Sequence, residues 1–148
     1  MDRKRQAAPA LLAALVIGGC GSTSLSTRQF RAGASRACLA AARQAERVPT
    51  PGSPAGGAAF LKGGIAALRP ELAMLRRLRA PRDLARDYGS ALAAISSELD
   101  ALVATARALD RGDDPVIAIK MLQQRLAPIE SAQDGAMRTL EIPACVNR

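Results

Sequence analysis

Between Leu84 and Leu109 apolar residues recur every three or four positions. Leu84, Tyr88, Leu92, Ile95, Leu99, Leu102, Ala106 and Leu109 therefore share one face of a 3.6-residue helix. A strand would scatter them over both its faces, whereas a helix gathers them and must bury them against a partner. The same rhythm returns three times. Phe30, Ala34, Ala37, Ala41, Ala45 and Val48 predict a first helix over 26–48. Leu61, Ile65, Leu68, Leu72 and Leu75 predict a second over about 58–79. Ile119, Leu122, Leu126, Ile129, Ala136 and Leu140 predict a last one ending near 140, its stripe interrupted by Gln133.

Composition leaves little room for another class. Alanine occurs 32 times, tryptophan is absent, and there are one tyrosine and two phenylalanines. Alanine and leucine favour helix, and the residues that favour strands are scarce. Helix boundaries are marked by chemistry. Ser26 and Gln29 have capping-box spacing, and Pro81 suits the first turn of a third helix over 81–109. Gly112 suits a helix stop, Asp114 an N-cap and Pro115 a first helical residue. The segment "PTPGSPAGG" separates the first two helices. Pro70 and Pro128 fall inside the second and fourth helices and predict a kink or a split. Four amphipathic helices with short connections predict an all-α fold, an antiparallel four-helix bundle over 27–148 with a C-terminal tail.

The first 26 residues follow another pattern. "MDRKRQ" is basic, and "APALLAALVIGG" is apolar for about 12 residues, well short of the ~20 that span a bilayer. Ile17, Gly18 and Gly19 then lead directly into Cys20. This order resembles the lipobox of bacterial lipoproteins, although Asp2 and Gly18 depart from the commonest form. The resemblance implies a signal peptide over 1–19, cleavage before Cys20, and acylation of that cysteine. A plain signal peptide with an incidental Cys20 is the alternative. Gly21, in place of an aspartate retention signal, permits outer-membrane sorting in a cell with two membranes. Residues 20–26 then form the lipidated cysteine and a short polar tether, which extends at most about 20 Å.

If Cys20 carries lipid, Cys38 and Cys145 remain as a pair in an oxidising compartment. The ends of the first and fourth helices that bear them are neighbours in an antiparallel bundle. A Cys38–Cys145 disulfide is expected, with two buried free thiols as the alternative. The run from the "ACLAAA" segment through "LRRLRAP" and "LDRGDDP" to the final cysteine resembles small helical secreted proteins and lipoproteins of high-GC bacteria. That resemblance implies architecture and location, and no activity or binding residues.

Catalytic constellations are missing from the sequence. The chain has no histidine, and residues 20–148 lack a Gly-x-Ser-x-Gly elbow, a Ser-x-x-Lys pair and a phosphate loop. Asp110, Asp113 and Asp114 lack EF-hand spacing, and capping accounts for them better than calcium does. Arg111-Gly112-Asp113 resembles the integrin-binding tripeptide, but helix termination accounts for its glycine and aspartate. No catalytic residue, cofactor or metal site is expected.

Residues 20–148 carry 18 basic and 12 acidic side chains, and only Lys62 and Lys120 of the basic ones are lysine. Arg69, Arg76, Arg77, Arg79, Arg82 and Arg86 flank the second turn and form a candidate patch for anionic lipid headgroups or an acidic envelope protein. A solvated face, with Asp83 and Asp87 as local ion-pair partners, is the competing reading. No nucleic-acid partner is expected for an exported chain without stacking aromatics. The expected function is a non-enzymatic structural or protein-interaction module of the cell envelope, lipid-anchored and facing outward. The alternative is a small-ligand or lipid carrier with a pocket between helices near Pro70 and Pro128.

Overall fold

A computed structural model of the chain describes residues 25–147. Among them there are four α-helices and no strand: α1 (Thr27–Ala45), α2 (Gly57–Arg77), α3 (Ala85–Asp110) and α4 (Pro115–Thr139). Two short 3-10 turns, η1 (Pro54–Gly56) and η2 (Pro143–Cys145), follow α1 and α4. Each helix packs against the next in sequence, and η2 packs back on α1 to close the bundle.

The helix ends follow the side chains that satisfy them. Ser26 Oγ accepts from the Gln29 backbone N–H at 3.3 Å, and Gln29 Oε1 accepts from the Ser26 N–H at 3.0 Å. This is the predicted capping box. Asp114 Oδ1 accepts from the N–H groups of Val116 and Ile117, both at 2.9 Å, ahead of Pro115. Helix α3 ends in a Schellman turn around Gly112, whose φ of 93° suits glycine. There the N–H of Asp113 reaches the Ala108 carbonyl at 3.1 Å. Helix α4 ends the same way without a glycine. Glu141 takes φ 56°, and the N–H of Ile142 reaches the Met137 carbonyl at 3.0 Å. That reversal delivers Ile142 and Cys145, both fully buried, to the core.

Two boundaries differ from expectation. Residues 82–84 form a turn, with the Leu84 N–H on the Pro81 carbonyl at 3.0 Å, so α3 starts at Ala85 and Pro81 lies outside it. Helix α1 stops at Ala45, which is exposed, and Val48 lies beyond it, half-buried. Neither internal proline splits its helix: α2 runs through Pro70 and α4 through Pro128. A proline removes one hydrogen bond. The buried neighbours Leu68 and Leu72 hold α2 on the core on both sides of that gap.

The stripes meet in two clusters. Near the α2–α3 connection all four helices contribute, with Phe30, Ala37, Leu72, Leu75, Ile95 and Met137 among the buried residues. Phe30 and Tyr88 meet edge to face, ring centroids 4.7 Å apart, and the Tyr88 hydroxyl donates to the Leu75 carbonyl at 2.7 Å. At the other end only α2, α3 and α4 supply the cluster, through Leu61, Ile65, Ala101, Ala106 and Leu122. The reason is length. Helix α1 has 19 residues against 26 in α3, so it falls about 10 Å short.

Candidate functional site

The first candidate is the end of the bundle where the chain enters. Leu25, Leu78, Ala80 and Leu84 pack on the same core cluster, so the segment preceding α1 joins the bundle beside the α2–α3 connection. Arg76, Arg77, Arg79, Arg82 and Arg86 are exposed at that connection. Among the described residues none of the five lies within 4.0 Å of a carboxylate, and the expected pairing with Asp83 and Asp87 does not form. Arg76 donates to Ser96 Oγ at 3.2 Å. Arg69 is exposed two turns earlier in α2, beside Lys62, Arg107 and Asp110, and stands apart from the other five.

The two remaining arginines of interest at this end act within the fold. Arg31 donates through Nε to the Leu140 carbonyl at 2.9 Å and pairs with Glu141 at 2.6 Å, which caps the end of α4. Arg138 pairs with Asp134 one turn earlier at 3.4 Å.

Cys38 of α1 and Cys145 of η2 form a disulfide, with Cα atoms 5.2 Å apart and a sequence separation of 107. Both are fully buried. The bond ties the C-terminal tail to α1, as the helix order predicts. Cys20 lies outside the described residues.

Sequence reading missed the buried polar residues. Glu71 is 1% exposed and Gln133 is 4% exposed, and both are engaged with partners, as is Glu98. Glu71 is three residues after Leu68 and four before Leu75, so it falls on the α2 stripe, and that spacing is the signal. Gln133 is part of the buried α4 face and does not interrupt it. Glu71 and Glu98 line a pocket of about 320 Å³ against Ala41, Ala42, Ala45 and Ala67. Its described lining offers carboxylates but no basic or nucleophilic side chain. The turn acids have structural roles: Asp110 pairs with Lys62 at 2.7 Å and Asp114 caps α4. Among the described residues no group of three or more Cys, Asp or Glu is placed to hold a metal ion.

The second candidate is at the far end, in the space α1 does not reach. An apolar groove of about 780 Å³ runs between the first turns of α2 and the first half of α4. Leu102 of α3 forms its floor, Phe60 and Leu61 one wall, and Ile119, Leu122 and Leu126 the other. The α1–α2 connection supplies a third side through Pro51 and Pro54. Val48, just before this connection, packs on α2 in the place a Gly63 Cβ would take, 2.5 Å from its Cγ1. The groove lies toward the start of α4; neither Pro70 nor Pro128 is among its described lining residues, and Leu68 and Glu71, which flank Pro70, line the smaller pocket instead. Phe60 and Val116 are exposed at its edges, and Ile117 and Met121 are exposed elsewhere on the first turns of α4.

Among the described residues no helix is long and apolar enough to cross a membrane. No protein-family model, curated protein or solved structure matches the chain.

Proposed function

We propose that the chain is an exported bacterial lipoprotein, cut before Cys20 and anchored by acyl groups on that thiol. Its helical bundle acts as a non-enzymatic structural or protein-interaction module of the cell envelope. One observation carries the reading: the tether meets the bundle at the end that displays five arginines without carboxylate partners among the described residues. A tether of six residues keeps that end within about 20 Å of the anchor. Each arginine near an anionic surface contributes about 1 kcal/mol, and acyl chains with a basic patch hold better than either signal alone. The far end of the bundle is then presented outward.

The test is partition of mature protein, with Cys20 replaced by serine, onto phosphatidylglycerol vesicles at low and high salt. Salt-sensitive binding is expected, with a loss of at least about tenfold in an Arg76→Ala/Arg77→Ala/Arg79→Ala variant. Absence of binding at low salt would remove the membrane-facing role of the arginines. A second reading, a small-ligand or lipid carrier, is favoured by the apolar groove at the outward end, which a pure scaffold does not need.

A further inference from the structure

We infer that the groove between α2 and α4 is a binding site for a single-chain anionic amphiphile, its acyl chain laid over Leu102 and its acidic head at Lys120. The inference rests on the carrier reading and names its ligand class. The groove's volume of about 780 Å³ falls in the ~300–1,000 Å³ range of small-molecule sites. Floor and walls are leucine, isoleucine, phenylalanine and proline, with polar groups confined to Thr50, Ser53, Lys120 and Gln123. Among the described lining residues Lys120 is the one charged side chain, and none is a carboxylate. Lys120 is exposed and has no carboxylate within 4.0 Å among the described residues. An apolar trough with the Lys120 ammonium at its side matches a long chain ending in carboxylate or phosphate.

Other occupants fit less well. A partner helix is about 10 Å across and would fill this volume in two turns, too few for a row of anchors. An extended peptide would bring a run of backbone N–H and C=O groups against a mostly apolar lining whose described polar side chains are Thr50, Ser53, Lys120 and Gln123, too few to pair them. On the lipoprotein reading, the protein's own acyl groups lie in the bilayer and are tethered to the end of the bundle where α1 begins. Helix α1, about 28 Å long, separates the tether from the groove.

Photo-crosslinking exploits that separation. Whole protein, purified from the cells that make it and held in phosphatidylcholine nanodiscs, is exposed to diazirine-bearing palmitate or diazirine-bearing hexadecanol. Labelled residues are then mapped by peptide mass analysis. Palmitate is expected to label peptides containing Phe60 and Leu122, far from the bilayer. Val116→Asp, at an exposed groove residue, should cut that labelling about tenfold by placing a carboxylate against the chain. Ile117→Asp, equally exposed but outside the groove, should leave it unchanged and controls for folding. Lys120→Glu should reduce palmitate labelling about twofold to fivefold and spare hexadecanol. Equal labelling by both probes, insensitive to Lys120→Glu, would overturn the anionic ligand while leaving the carrier reading standing. Labelling by neither probe would overturn both. Dimers that Val116→Asp disrupts, without groove labelling, would assign the groove to a second copy and likewise overturn the inference.

Discussion

Cleavage of the Cys38–Cys145 bond tests how the bundle is held closed. The bond closes a loop of 107 positions, and η2 is the element through which the tail returns to α1. In the chain-entropy treatment a loop of this size contributes about 4.8 kcal/mol, and small secreted domains lose about 2–5 kcal/mol with a native disulfide. A domain of this length shifts its melting temperature by about 4 °C per kcal/mol, so a loss of ~3–5 kcal/mol lowers it by about 12–20 °C. The measurement is thermal unfolding by circular dichroism with and without reductant, alongside a Cys38→Ala/Cys145→Ala variant. Reduced wild type and the variant should melt together, and reductant should not affect the variant. An unchanged melting temperature after proven reduction would refute the loop argument. Two alkylatable thiols before reduction would refute the bond itself.

Two further predictions concern single side chains. Burial disfavours the phenolate and holds the Tyr88 hydroxyl above the ordinary phenol range, so the folded state keeps its proton where the unfolded chain loses it. Stability from Tyr88 should be complete below about pH 10 and fall as pH rises beyond it, and urea melts should show Tyr88→Phe lacking that component. At neutral pH the variant should lose only about 0.5–1.5 kcal/mol, since the Leu75 carbonyl also accepts from the Leu78 N–H at 2.9 Å. Gly89→Ala in α3 and Gly135→Ala in α4 meet open space and should each stabilise by about 0.5–1 kcal/mol. Gly63→Ala should instead destabilise, because its Cβ would displace Val48 and with it the connection flanking the groove; thermal melts of all three separate these signs.

The repeating stripes made the four helices legible, and all five α2 positions read from spacing are buried. The caps at Ser26 and Asp114 and the stop at Gly112 were legible because their chemistry is local. Other features depend on partners distant in sequence. Ala45 matches the α1 stripe, yet it is exposed where α1 ends, at the mouth of the pocket it shares with Glu71 and Glu98. Glu71 and Gln133 are polar by identity and internal by position, and only their place in the 3.6 period indicates it. The groove between α2 and α4 was not legible. It follows from a difference in helix length and the path of the 46–56 connection, neither of which periodicity reports. The arginine end was visible as a cluster, but its place beside the entering chain needed Leu25 and Leu84 on one core.

The anchor is tested most directly by the intact mass and N-terminal peptide of the protein taken from the membranes of its own cells. A chain that begins at Cys20, with diacylglycerol mass on its sulfur and its other two cysteines joined, is the expected product. A chain that retains Met1, or begins elsewhere with an unmodified Cys20, would contradict the lipoprotein reading and the membrane-facing role given to the arginine end.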